Sequence, residues 1–200
     1  MEMKEMYYKA VHANWITEPT TDTQYCIEET DDTVTIKIQG SISVQDWIQN
    51  FSFWKKPYKH MEHTFFAHAG FLKKYKSIRD PILKAGRSAT AHGKTIQVLG
   101  YSQGAGIGYL VVEDLRFHYP SALIEAYMFG TPRAFSFIGG KILKERLSGI
   151  TRVENGNDIV TRIPFVWMFY RHYGKLVHIG KKRNWFRFSI EDHLTYKAHL

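Results

Sequence analysis

The sequence predicts an α/β fold in which a mostly parallel sheet carries helices on both faces. Two observations predict it. Segments of strand character alternate with segments of helical character along much of the chain, as βαβ units do. In addition, the β-forming run Thr95-Ile96-Gln97-Val98-Leu99 passes through Gly100-Tyr101-Ser102-Gln103-Gly104 directly into an amphipathic stretch, a strand-turn-helix junction.

Residues 34–38 alternate apolar and polar side chains with the period of a strand. Val44, Trp47, Ile48 and Phe51 then recur at helical spacing. Residues 64–67 form a short strand, and a long polar helix follows from Phe71. It is expected to bend or break near Asp80-Pro81, because proline removes a helical hydrogen bond, and to end at His92-Gly93. After the strand at 95–99, a helix runs to Phe117 with Ile107, Leu110, Val111 and Leu115 on one face. Residues 123–129 read as a buried strand, 138–147 as a helix and 150–154 as another strand.

With 200 residues, 44% hydrophobic and 15% aromatic, the chain can bury one substantial core, and a single domain over residues 1–200 is expected. The start, Met1-Glu2-Met3-Lys4-Glu5-Met6, has no apolar h-region, and no run of about 18 apolar residues appears. No signal peptide or transmembrane segment is therefore visible, and a soluble protein, cytoplasmic by default, is expected. Cys26 is the only cysteine, so no intramolecular disulfide forms. The net charge of +8 implies attraction to an anion but does not choose among nucleic acid, acidic lipid headgroups and an acidic polymer. Basic residues cluster at Lys55-Lys56, Lys73-Lys74, 171–175 and 181–183 without a nucleic-acid motif. No nucleic acid is expected, and peripheral contact with an anionic lipid surface is retained beside the plainer reading of a solvated basic surface.

Ser102 sits where a strand turns sharply into a helix, with glycine two positions to each side, and is the candidate nucleophile. A serine hydroxyl needs an imidazole to take its proton, and the imidazole needs a carboxylate to orient it. In an α/β sheet both belong after later strands. Two segments fit. One is Asn155-Gly156-Asn157-Asp158, where a strand runs into a polar turn; the other is Asp192-His193-Leu194 near the C-terminus. The order Ser102, Asp158, His193 is that of α/β-hydrolases. Other signals lead nowhere. Gly86 and Gly93 enclose six residues where a P-loop needs four, and Gly104, Gly106 and Gly108 lack the dinucleotide fingerprint. His60, His63 and His68 straddle a turn and a strand without a completing ligand, so no metal is expected. Arg133 and Arg162 read as structural ion-pair or turn residues.

Five segments, in order, resemble the class 3 lipases, whose fungal members are triacylglycerol lipases. They are Ile38-Gln39-Gly40-Ser41-Ile42-Ser43 with Asp46-Trp47, His68-Ala69-Gly70-Phe71, Gly100-Tyr101-Ser102-Gln103-Gly104, Phe129-Gly130-Thr131-Pro132-Arg133, and Asn157-Asp158-Ile159-Val160-Thr161-Arg162-Ile163-Pro164. Asp192-His193-Leu194-Thr195-Tyr196 closes the set. The resemblance implies an α/β-hydrolase fold, Ser102 as nucleophile, His193 as base and acid, and Asp158 as the orienting acid. It also implies an oxyanion hole formed by Ser41 and the backbone N–H of Gln103.

In fungal members the position of residues 43–53 forms an amphipathic lid, so Trp47, Ile48 and Phe51 become candidate lid or substrate-binding residues; a helix packed permanently on the core fits the same periodicity. Phe165 and Trp167, between acid and histidine, are candidates for an acyl-binding wall, with core packing the alternative. The chain departs from the fungal pattern in its single cysteine, its shorter length and Gln103; Gly-Tyr-Ser-Gln-Gly also resembles the elbow of cutinases. The leading expectation is a serine carboxylic-ester hydrolase that cleaves lipid or small ester substrates through an acyl-enzyme, without cofactor. Phospholipase A1 and cutinase-like esterase are variants of it. A non-catalytic basic lipid- or polymer-binding module is the alternative from another class.

Overall fold

In the computed structural model, residues 3–40, 53–60, 63–138, 140–184 and 186–200 are described. A seven-stranded sheet has the order β1-β2-β3-β6-β7-β9-β11. Its strands are β1 (Ile16–Glu18), β2 (Thr23–Glu29), β3 (Thr33–Ile38), β6 (Thr95–Tyr101), β7 (Ile124–Phe129), β9 (Ile150–Asn155) and β11 (Lys175–Ile179). From β3 onward every neighbouring pair is parallel, while β1 and β2 form an antiparallel edge. A smaller antiparallel sheet, of order β10-β8-β5-β4, packs beside it, built from β4 (Lys55–His60), β5 (His63–His68), β8 (Phe135–Ser136) and β10 (Tyr170–Arg171).

Strand alternation divides the central strands between two cores. On one face Ile96, Val98, Ala126, Met128 and Ile150 join the main core. This face is covered by α2 (Ala69–Ala91), α3 (Gln103–His118) and α4 (Gly140–Arg146). On the other, Leu99, Phe129 and Val153 meet Met6 and Ala10 of α1 (Met3–Val11) and Tyr196. Tyr196 opens α6 (Tyr196–His199), just after α5 (Ile190–Leu194). Helices therefore cover both faces, as the sequence predicts.

The expected bend or break at Pro81 does not interrupt α2, which runs unbroken from Ala69 to Ala91 with Pro81 inside it. An interior proline costs roughly 3 kcal/mol. Burial of Tyr75, Ile78, Ile82 and Ala89 along one stripe of the same helix outweighs that local cost.

Candidate active site

β6 delivers Ser102 through a turn whose backbone is strained. Ser102 has φ 57° and ψ −125°, a region that residues with a side chain rarely occupy. The turn is pinned from both sides. The Ser102 N–H donates to the Phe129 carbonyl at 2.9 Å, and the Ser102 carbonyl accepts from the N–H groups of Ala105 (3.1 Å) and Gly106 (3.2 Å). Only glycine permits so tight an elbow: a Cβ on Gly104 would lie 2.1 Å from the Ile38 carbonyl oxygen, and one on Gly100 would lie 2.7 Å from the Ala105 Cα. Gln103 opens α3, so its N–H is a first-turn amide that no carbonyl of the helix can satisfy.

Asp158 lies in the turn beyond β9, and its two oxygens are separately engaged. Oδ1 accepts from the Val160 N–H at 2.8 Å. Oδ2 lies 2.8 Å from His193 Nδ1 and accepts from the Tyr196 hydroxyl at 2.7 Å. A carboxylate only accepts, so the imidazole carries its proton on Nδ1 and presents Nε2 as the base. Burial and the neighbouring Asp158 push the Tyr196 phenol well above its ordinary pKa, so it remains a donor.

His193 is held by the same loops. Ser189 caps α5, accepting from the Asp192 N–H at 2.9 Å, and Asp192 Oδ2 accepts from the Asn157 N–H at 2.6 Å. Ser189 and Asp158 form a short parallel bridge, with Ser189 N–H to the Asn157 carbonyl at 2.9 Å and Ile159 N–H to the Ser189 carbonyl at 3.2 Å. Above the imidazole, the Tyr101 ring stacks at 4.9 Å between centroids, and its hydroxyl donates to the His193 carbonyl at 2.5 Å. Gly130, at φ 57°, leaves room on another side, since a Cβ there would lie 2.8 Å from His193 Cε1.

The structure thus joins Asp158 to His193 and sets Ser102 one residue from the tyrosine that stacks on that histidine. It does not join Ser102 to His193 by a hydrogen bond: Ser102 Oγ and His193 Nε2 are both buried without a partner among the described residues. The oxyanion candidate Ser41 and the candidates Trp47, Ile48 and Phe51 lie outside the described residues. Gly40, next to Ser41, is described, and a Cβ on it would lie 3.3 Å from the Ser102 Cβ, so β3 ends beside the elbow. Phe165 and Trp167 stack on each other with centroids 4.2 Å apart. Phe165 is half-buried against the main core, whereas Trp167 is 73% exposed. Arg133 serves as a turn residue, donating to the carbonyls of Arg162 and Pro164. Sequence reasoning gave no role to Tyr101 or Tyr196. The signal for Tyr196 was its place three residues after His193, one helical turn on.

A mostly parallel sheet whose central strand ends in a strained serine elbow, with an acid in a later turn and a histidine in a short helix beyond it, is that of an α/β-hydrolase. The chain belongs to the class 3 lipase family, whose profile matches residues 35–168. It is 28% identical over 142 residues to the secreted mono- and diacylglycerol lipase 1 of Fusarium solani, covering 70% of this chain and 41% of that protein. It is also 28% identical over 121 residues to the secreted mono- and diacylglycerol lipase MDL4 of Malassezia globosa, covering 58% of this chain and 40% of that one. The chain therefore spans about two fifths of the length of these curated relatives. The triacylglyceride lipase of Rhizomucor miehei shares the fold, with a TM-score of 0.80 over 92% of this chain and 79% of that one at 20% identity.

These relatives overturn the expectation of a cytoplasmic protein, since both are named as secreted. That expectation drew on an N-terminal stretch without an apolar run. The lone cysteine does not bear on the question, because a core of this size needs no disulfide to be stable.

Proposed function

We propose that the chain is a serine carboxylic-ester hydrolase acting on lipid acyl esters, with Ser102 as nucleophile, His193 as base and then acid, and Asp158 as the orienting carboxylate. The observation that supports this most is the pair of buried, unpartnered atoms, Ser102 Oγ and His193 Nε2, among the described residues. Buried polar atoms without partners are costly and rare. A hydroxyl on a strained turn and an imidazole nitrogen whose opposite nitrogen engages a buried carboxylate are the two groups an acyl transfer needs unoccupied.

In this reading Ser102 Oγ attacks the ester carbonyl carbon while its proton passes to His193 Nε2. The resulting oxyanion is met by the Gln103 N–H and, as proposed, by Ser41. Loss of one such donor costs roughly 3–4 kcal/mol of transition-state stabilisation. Collapse expels the alcohol, which takes the proton from Nε2 and leaves the acyl group on Ser102. Water then gives a proton to Nε2 and attacks the acyl-enzyme; the acid departs and Ser102 recovers its proton. Every step moves protons among Ser102, His193, ester and water, so no cofactor enters. The relatives named as mono- and diacylglycerol lipases support glycerol acyl esters as the substrate class.

A fluorophosphonate ester, read by mass spectrometry on intact protein, tests the assignment. One adduct on Ser102 that vanishes in Ser102→Ala and His193→Ala is the expected result. No adduct on the folded protein with detergent present would instead favour the non-catalytic lipid- or polymer-binding module.

A further inference from the structure

β6 ends on Tyr101, the residue peptide-bonded to Ser102. Its pairing with Phe129 of β7 fixes the backbone, and strand alternation turns its side chain, like that of Leu99, to the face that α1 covers. Three rings meet it there. Tyr7 and Tyr196 cross it at 84° and 72°, with centroids 5.7 and 5.9 Å away, whereas the His193 imidazole lies nearly parallel, at 16° and 4.9 Å. Of these three partners, the imidazole alone is stacked.

Asp158 does not fix His193 by itself. One hydrogen bond, between Nδ1 and Oδ2, leaves the ring free to swing about that line and carry Nε2 away from the elbow. The stack on Tyr101 removes the swing. The Tyr101 hydroxyl meanwhile donates to the His193 carbonyl at 2.5 Å, so one side chain holds both the ring and the main chain of the histidine. Burial, followed by the neighbouring Tyr7 and Asp158, pushes the Tyr101 phenol above its ordinary pKa, so the hydroxyl keeps its proton and stays a donor. The imidazole is thereby located relative to the serine through a single peptide bond.

We infer that Tyr101 is a positioning residue for acyl transfer: it sets the approach of His193 Nε2 to Ser102 Oγ and lays an aromatic face against the imidazole as that ring becomes cationic. Both of the atoms it brings together are buried without a partner among the described residues. The inference rests on the reading of Ser102 and His193 as nucleophile and base. When Ser102 Oγ gives its proton to Nε2, the positive charge that forms is attracted by the quadrupole of the parallel ring. The neutral imidazole feels that attraction far less, so the contact favours the transition state over the resting protein and raises the limiting rate without tightening binding. Placement carries similar weight, since a displacement of about 1 Å costs on the order of a hundred-fold in rate.

The test compares Tyr101→Phe and Tyr101→Leu with the unsubstituted chain, each labelled by a fluorophosphonate ester over a range of concentrations at a temperature where thermal melts show all three folded. Tyr101→Phe keeps the ring and deletes the tether; Tyr101→Leu deletes both. The limiting labelling rate is expected to fall about three-fold in the first and about fifty-fold in the second, at an unchanged half-saturating concentration. The proton NMR signal of the His193 Nδ1 hydrogen, shared with Asp158, should persist in both variants, which places the loss between His193 and Ser102. Where leucine leaves the chain unfolded at the assay temperature, Tyr101→Met carries the same expectation. Labelling of the leucine variant at the parent rate, an equal loss in the phenylalanine variant, a raised half-saturating concentration at an unchanged limiting rate, or disappearance of the Nδ1 signal together with labelling would each overturn the inference. The unsubstituted chain keeps the two claims apart. A labelled parent with unaffected variants removes the role of Tyr101 and leaves the hydrolase; an unlabelled parent removes the hydrolase and, with it, the role of Tyr101.

Discussion

Tyr196 donates its hydroxyl to the same oxygen of Asp158, Oδ2, that His193 engages. The carboxylate therefore reaches the imidazole already fixed in the plane it must keep, with Val160 N–H holding the other oxygen. The Tyr196 hydroxyl also accepts from the Asn155 N–H at 3.0 Å, so one phenol ties β9 to the acid.

Tyr196→Phe removes that donor from a buried carboxylate and leaves the Asn155 N–H without its acceptor. Hydrogen bonds to charged groups contribute about 1.5–3 kcal/mol. We expect a melting temperature lowered by several degrees and the rate of fluorophosphonate labelling reduced about tenfold, measured on protein shown to be folded at the assay temperature. Unchanged labelling would place Tyr196 in the scaffold alone.

Ser102→Gly should make the protein more stable while abolishing labelling. Glycine occupies φ 57° without the strain that serine carries, and the substitution deletes a buried hydroxyl that has no partner among the described residues. Strain and desolvation are each of order 1–3 kcal/mol, against about 0.5–1 kcal/mol for glycine's greater freedom when unfolded. A net gain of about 1–2 kcal/mol is expected, worth about 2–4 °C per kcal/mol in a chain of this size. A thermal melt that shows Ser102→Gly less stable than the parent would contradict the strained elbow.

His172 gives the fold a threshold on the acid side. It is largely enclosed, with 12% of its side chain exposed, donates from Nε2 to the Thr161 carbonyl at 2.8 Å, and lies amid Arg152, Arg133 and Arg183 with Glu154 nearby. Burial first, and those guanidiniums second, depress its pKa well below 6.5. The unfolded chain therefore takes up a proton near 6.5 that the folded chain refuses. Stability from this group is complete above 6.5 and is lost as pH falls below it towards the folded value. Thermal melts of the parent should decline more steeply below 6.5 than those of His172→Gln, which does not titrate; parallel declines would refute the assignment.

The geometry of the candidate site was largely legible because its carriers are local in sequence. The β6–Ser102–α3 junction is written in glycines and β-branched residues, and Asp158 and His193 each follow a strand or cap signal. What was missed depends on distant partners. The nine-residue α1 has only Met6 and Ala10 buried, too short a stripe to stand out before Leu99, Phe129 and Val153 lie beneath it. β8 and β10 have two residues each and exist only through each other and β5. Pro81 misled because propensity is local, whereas the stripe that carries α2 past it is tertiary.

Tyr7 of α1 packs its ring 6.0 Å from Tyr196 and 5.7 Å from Tyr101, the two tyrosines that hold Asp158 and His193. Helix α1 thus forms the back wall of a candidate site whose Ser102, Asp158 and His193 all come from beyond residue 100. Anyone trimming this protein for expression, or fusing a carrier to its front, is altering the support of the imidazole. A version without residues 3–11 should be judged as a variant of the candidate site, however well the remaining sheet folds.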